Sequence, residues 1–402
     1  MLHGPPSTLH LPPAVSGAIL ALSCLAVVAR AQVVETVVVT DTPLWGSLTA
    51  VEKLRIGVAE GEAAYQFGSI SAIALASDGS VLVADRDGPS VRRYDARGKY
   101  LHDIGRSGEG PGEYNSVLGM EVLRDGTVTV WDPRNRRLSF FELDGTFKDS
   151  FPVNVGTFGS RVFYVDGADN FFYRTLHLDP NVERKPGEQL PEVYLEVGRD
   201  GVEKRRIRIP ESDWPASYVL ATSEGYHRPF SGQLDHAVSA DGELIVGNNM
   251  TYTLEFERDG APIRRIRVPY EVIDVGAAEW RQWRDWSAHM TERNPSGTVF
   301  ATPPKTKPAY RGLWVDRDGR IWVRRYGVAT RFDVEPREQG DTRPLLVWRD
   351  KPTFDILDAA GVLIGHVTFP SGVFVYNARG RMALAEYTDD QGVPYVVVFE
   401  IR

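Results

Sequence analysis

Between positions 70 and 104 the chain alternates apolar and polar residues in four short runs, 70–75, 81–84, 91–94 and 100–104. Asp78-Gly79, Asp87-Gly88-Pro89 and Arg97-Gly98 separate them. A period of two places one set of side chains on each side of a pleated strand, and Asp-Gly pairs supply the backbone freedom that a tight reversal needs. The pattern predicts an antiparallel meander of four strands.

The meander repeats. It returns in "GMEVLRDGTVTVWDPRNRRLSFFELDGTFKDSF", where Asp125 follows Asp78 by 47 residues, and again around Asp241 and Asp318. A degraded copy begins near Arg161 and finishes, after a polar insertion, with "EVYLEVGRDGVEKRRIRI". The copy at Asp318 is also interrupted and resumes at "TFDILDAAGVLIGHVTF". A sixth copy, from "GVFVYNARG" to Arg402, supplies only three strands, while "KLRIG" near the start matches "LHDIG" at the end of the first unit. The N-terminal segment is therefore expected as the outermost strand of the last unit, which removes the open edges that a row of sheets exposes. The expectation is an all-β chain: a six-bladed β-propeller of four-stranded antiparallel blades, its last blade closed by the N-terminal strand. One helical insertion is expected between blades 4 and 5.

"VLVADRDGPSVRRYDARGKYL" and "VTVWDPRNRRLSFFELDGTF" resemble the repeat of NHL-type propellers, an aliphatic strand ending in Asp, then Asn and Arg in the turn, then an aromatic-Asp-x-x-Gly hairpin. Asp132, Asn135, Arg137 and Leu138 match in order, the first copy keeps Asp85 but has Ser90 at the Arg position, and later copies carry Asn248, Arg325 and Glu386 at the Asp position. Over roughly 51–402 the chain is similar to exported bacterial six-bladed propellers related to NHL and TolB-like proteins. The resemblance implies the fold and little about activity, because one fold hosts many functions.

Residues 1–31 differ in kind from the rest, with an apolar run ending in Ala-Arg-Ala. They read as a signal peptide cleaved before Gln32, followed by an N-terminal extension at 32–50 and the propeller at 51–402. The apolar run is shorter than the roughly 20 residues a membrane span needs. Export to the periplasm or out of the cell is expected, with no membrane span in the mature chain. Cys24, the only cysteine, lies in the leader; a lipoprotein box there is disfavoured by Ala21, and the mature chain would have no thiol for disulfides or nucleophilic chemistry. The formal net charge of -8 and the lack of a long basic run exclude nucleic acid as an expected partner. A monomer is expected.

In such a fold the Asp-Gly turns share one face and look like scaffold, while the long irregular loops gather on the other, where binding usually resides. There the insertion "GAAEWRQWRDWSAHM" places Trp280, Trp283 and Trp286 at intervals of three, an apolar stripe that either packs on the blades or lids the channel mouth. His236 stands where other copies have Ile73, Met120 and Leu313. With Asp235 beside it and Arg311 opening the next inner strand, the channel mouth acquires candidate polar ligand-binding groups, and Arg311 offers an anion a fork. At the ends of the second strands Asp85, Asp132, Thr175, Asn248, Arg325 and Glu386 align. Asp85, Asp132, Asn248 and Glu386 could present oxygen ligands to Ca2+ or another divalent cation, or could brace their own turns. Two functional readings follow. One is an exported binding protein for a protein, peptide or glycan ligand on the loop-rich face. The other is a metal-dependent hydrolase or lyase, similar to gluconolactonase-type, streptogramin-lyase or amidating-lyase propellers, with His236 as general acid or base at the central channel. No Gly-x-Ser-x-Gly or His-Glu-x-x-His motif is present, and the loop "GRSGEGPGEY" lacks the Lys-Ser/Thr of a phosphate loop.

Overall fold

The computed structural model describes residues 34–39, 43–153, 163–176, 191–210, 230–293, 304–333, 342 and 344–402. The leader with Cys24, and His227 and Arg228, which precede Asp235 and His236 in "YHRPFSGQLDHAVS", lie outside them. The chain forms successive antiparallel sheets in sequence order. Sheet 1 consists of Ile70–Leu75, Val81–Asp85, Ser90–Tyr94 and Tyr100–Asp103. Sheet 2 is Gly119–Val122, Val128–Asp132, Arg137–Phe141 and Phe147–Pro152. Sheet 3 is Phe163–Val165, Phe171–Leu176, Glu192–Val197 and Glu203–Arg208. Sheet 4 is Leu234–Val238, Leu244–Asn248, Thr253–Arg258 and Ala261–Arg267. Sheet 5 is Tyr310–Val315, Ile321–Arg325, Thr353–Leu357 and Leu363–Thr368. Sheet 6 contains Val373–Arg379, Met382–Thr388 and Pro394–Ile401.

The strand Ser47–Ile56 lies antiparallel to Pro394–Ile401, with Ile56 opposite Val396 and Ala50 opposite Ile401. Its first residues, Ser47 to Thr49, also run parallel to His366 to Thr368, joining sheets 5 and 6. Upstream, Glu35–Val38 adds a parallel strand to the outer edge of sheet 4. The segment expected as an extension before position 51 is thus built into sheets wherever it forms strands.

Second strands are the most deeply buried: every residue of Val81–Asp85 and of Val128–Asp132 is buried. Continuous apolar runs of this kind belong between two neighbours rather than at a solvent face. Six buried clusters provide those neighbours. Leu82 and Ala84 pack with Met120 and Val130 between sheets 1 and 2, Leu138 with Tyr173 and Leu195 between sheets 2 and 3, and Tyr194 with Val238 and Val246 between sheets 3 and 4. Leu254 and Phe256 meet Leu313 and Val323 between sheets 4 and 5, and Phe354 meets Val375 and Phe399 between sheets 5 and 6. The sixth cluster joins Leu384 and Val396 of sheet 6, with Ile56, to Ile73 and Val83 of sheet 1. Each such aliphatic side chain contributes about 1.5–3 kcal/mol on full burial.

The turns between first and second strands repeat one device. Asp78 Oδ1 accepts from the Ser80 amide at 2.9 Å and Asp125 Oδ1 from that of Thr127 at 3.0 Å, while Gly79 and Gly126 take φ of 83° and 86°. Only glycine adopts that conformation without steric cost. Near these turns, polar side chains tie distant sheets together. Asn377 Nδ2 donates to Glu121 Oε2 at 3.0 Å, and Arg317 donates to Asp169 at 2.9 Å and to the carbonyls of Val165 and Asp166. Burial raises the Glu121 carboxyl, with Arg317 opposing.

The helix α1 (Ala277–Arg293) falls between sheets 4 and 5. Gln282 fastens it, donating to the Trp348 carbonyl at 2.8 Å and accepting from its amide at 2.6 Å. A buried pair of Glu279 and Lys307, 2.7 Å apart, fastens it again, with Lys307 also donating to the Gly327 carbonyl. Burial raises Glu279 and Lys307 opposes the shift.

Candidate functional site

A cavity of about 470 Å³ opens beside α1, where the second strand of sheet 5 ends and the inner strands of sheets 5 and 6 begin. Trp283, Tyr326, Trp348 and Phe374 line it with aromatic surface. Arg311, Arg324, Arg349, Asp350 and Gln233 supply its polar surface.

Asp350 is buried and accepts from Arg311 at 2.7 Å and from the Gly327 amide at 2.8 Å. The Arg311 guanidinium lies 4.3 Å from the centre of the Tyr326 ring, a cation–π contact that holds its plane. Its Nε is buried without a hydrogen-bond partner. Arg324 sits one pleat further along sheet 5. Burial lowers its pKa and the neighbouring Arg311 lowers it further, while Asp350 acts in the opposite sense. Among the described residues the Arg324 guanidinium makes no hydrogen bond, while its backbone pairs with Gly312 and Phe354. Gln233 links sheets 4 and 5, its Nε2 donating to Asp235 Oδ1 at 3.0 Å and to the Arg311 carbonyl at 3.4 Å.

The candidate residues read from the sequence therefore divide. Arg311 and Trp283 reach the cavity, and Asp235 adjoins it through Gln233. Trp280 is 6% exposed and absent from the lining, so the two readings of the Trp stripe hold for different members: Trp280 packs and Trp283 forms wall. Trp286 meets Trp283 edge to face at 6.0 Å.

His236 points to the opposite side of its strand from Asp235, because successive side chains alternate. Burial, then Arg174 of sheet 3, lowers it to about 4. Asp235 is raised by burial to about 7, with Gln233 opposing. Asp235 Oδ2, His236 Nε2 and Tyr310 Oη are all buried without hydrogen-bond partners. Gly247, opposite Asp235, leaves the space for Tyr310: a Cβ there would stand 2.3 Å from Tyr310 Oη.

The aligned second-strand ends do not converge on a common point. Asp85 accepts from the amides of Gly68, Ser69 and Asp87, and Asp132 from those of Asn115, Arg134 and Asn135. Each carboxylate is buried and braces its own turn. In sheet 4 that part is played by Asn249, which accepts from the Gln233 amide at 2.9 Å, whereas Asn248 accepts from Met250. Asn248 keeps the strand-end position, opposite Leu234 as Asp85 is opposite Ile70, and the acceptor tasks of that position are divided between Asn248 and Asn249. Glu386 accepts from Tyr376 and Thr388 of its own sheet. Arg325 faces Asp355 at 3.4 Å, together with His366 and Tyr252, each 2.6 Å from that buried carboxylate. Among the described residues no group of three His, Cys, Asp or Glu is arranged to hold a metal ion.

Sequence reading missed Arg324, although a signal existed. In the aligned second strands "VLVAD", "VTVWD", "LIVGN" and "IWVRR", Arg324 stands where Ala84, Trp131 and Gly247 stand. A guanidinium in a register that is small or apolar at Ala84, Trp131, Gly247 and Ala385, and repeated only by Arg174 of sheet 3, marks a departure from scaffold. Asp350 lies in an insertion with no counterpart in other copies, and nothing in the repeat points to it.

Residues 60–188 match a family model described as a 6-bladed beta-propeller. Among solved structures, a Bacteroides fragilis protein is 8% identical, with 92% of this chain and 99% of that one covered and a TM-score of 0.49. A Bacteroides vulgatus protein is 13% identical over 89% and 99% of the two chains at a TM-score of 0.46. Virginiamycin B lyase from Staphylococcus aureus is 10% identical over 86% and 98% at 0.41. No curated protein matches. Among the described residues no helix is long and apolar enough to cross a membrane. The fold is mostly β, a six-bladed propeller.

Proposed function

We propose that this protein is an exported binding protein, related to NHL and TolB-like propellers, that holds a peptide, protein or glycan ligand on its loop-rich face. Four-stranded blades form a ring, and the strand Ser47–Ile56 completes the last of them; its pairing with Pro394–Ile401 and the cluster between sheets 6 and 1 support this closure. The observation that carries the functional reading is the cavity beside α1. Aromatic walls and a few convergent polar groups are the composition of a ligand pocket. The two polar anchors of α1 hold Trp283 in that wall without a mobile loop, so little ordering entropy opposes binding.

Arrays of oligosaccharides and of peptides, followed by titration of the hits with Trp fluorescence as readout, test the proposal. Trp283→Ala is expected to weaken a genuine ligand by about tenfold or more, the loss of one buried aromatic contact. A ligand that binds the Trp283→Ala variant unchanged sits elsewhere, and the cavity is then not the site.

A further inference from the structure

We infer that Arg311 and Arg324 form a carboxylate subsite and that the ligand is an acidic glycan bearing uronate groups, an inference that rests on the binding role proposed for this cavity. Three guanidinium groups line the cavity against two carboxylates, those of Asp350 and Glu279, and Glu279 is already paired with Lys307. Arg349 donates its Nε to the Leu346 carbonyl, and Arg311 is engaged by Asp350 on one nitrogen only. The Arg324 guanidinium has no hydrogen bond among the described residues, yet Arg324 is half-buried beside a second cation. Removing a charge from water is costly unless a counter-charge meets it. The position that repays the cost most fully lies between the free edge of Arg311 and the fork of Arg324, and a planar carboxylate matches that geometry with parallel N–H···O bonds.

The surroundings select the rest of the ligand. Trp283, Tyr326, Trp348 and Phe374 offer flat faces on which the C–H face of a sugar ring can lie, and Gln233 adds an amide for hydroxyl groups. One mode of peptide recognition, the addition of a strand to a sheet, needs an unpaired strand edge. The strand carrying Arg324 has none, because Ile321–Arg325 is paired on both sides, with Tyr310–Val315 and with Thr353–Leu357. Recognition at Arg324 therefore goes through its side chain, which a sugar carboxylate can meet.

Calorimetric titration of the full chain with trigalacturonate and with the corresponding neutral galactose trisaccharide tests the inference. Trigalacturonate is expected to bind at least about tenfold more tightly than the neutral sugar, with affinity falling as salt rises. Arg324→Gln should bring the two sugars within about threefold of one another while circular dichroism and melting temperature hold. If that variant does not fold, Arg324→Lys keeps the charge, loses the fork and should lower the preference in part. Equal binding of both sugars, insensitive to Arg324, overturns the carboxylate subsite and leaves the binding role intact. Tighter capture of a peptide carboxylate than of any uronate overturns the glycan class. Silence of sugars and peptides alike overturns both readings.

Discussion

Asp132 in sheet 2 and Asp235 in sheet 4 are carboxylates in the same scaffold, set in opposite circumstances. Asp132 is 1% exposed and accepts from three backbone amides. Asp235 is inward, accepts from Gln233 alone on one oxygen, and leaves its other oxygen buried and unpartnered. The first belongs to a turn whose donors would otherwise be orphaned. The second lies near Arg311 and Tyr310, whose own polar atoms are also incomplete. Within one repeated architecture, satisfied acids mark scaffold and unsatisfied ones mark the region that is shaped for something else.

Truncation should separate the two most strongly. Asp132→Ala strands three amide donors and is expected to cost roughly 3–5 kcal/mol in urea unfolding, whereas Asp235→Ala should cost less than about 1 kcal/mol at pH 8. Equal losses would erase the distinction. The next largest effect concerns the glycine opposite Asp235. Gly247→Ala places a methyl 2.3 Å from Tyr310 Oη and 2.5 Å from Leu313 Cδ2, a clash expected to cost about 2–3 kcal/mol. Gly312, where a Cβ meets nothing within 4 Å, provides the control, and Gly312→Ala should be near neutral.

Acidity sharpens the contrast further. Folding raises Asp235 from 3.8 to about 7, so the folded chain holds a proton that the unfolded chain has released across that interval. Its contribution to stability is complete below 3.8 and lost as the pH climbs toward 7. His236, lowered from 6.5 to about 4, has the reverse slope: its contribution is present above 6.5 and lost as the pH falls toward 4. The neighbours thus offset one another over much of the range. Asp235→Asn removes only the first slope, and should gain about 2 kcal/mol on the natural chain between pH 4 and pH 6. Urea midpoints at pH 4, 6 and 8 read this out, and a constant difference would refute it. The smallest effect is expected at the helix. Gln282→Ala removes two hydrogen bonds to Trp348 and should cost about 1–2 kcal/mol, seen as faster amide exchange in α1 with little change in the sheets.

What could be read from the chain follows from the range of the interactions involved. Strand runs and Asp-Gly turns are local, and repetition multiplies a weak local signal until the number of sheets and the kinship of "KLRIG" with "LHDIG" stand out. The helix was legible because Trp280, Trp283 and Trp286 recur at intervals of three. The partition of those tryptophans was not, because it depends on Gln282 meeting Trp348, 66 residues away. Arg311 was chosen for its place at the start of an inner strand, but its partner Asp350 is supplied by an insertion 39 residues on. The proposed cation ligands failed to meet because Asp85 and Asp132 are each occupied by amides of their own turn and of the segment that leads into their sheet.

The pairing of Ile56 with Val396 spans 340 residues of chain. Pro394–Ile401 is held on one flank by Met382–Thr388 and on the other by Ser47–Ile56, a strand made far earlier in the chain. A nascent polypeptide of this kind cannot finish its sixth sheet until Pro394–Ile401 is free, and until then Ser47–Ile56 keeps an unmatched row of amides and carbonyls. Contacts so distant in sequence form slowly. Loss of Pro394–Ile401 alone would take away the strand between Met382–Thr388 and Ser47–Ile56, leaving two bare edges where the molecule has a seam.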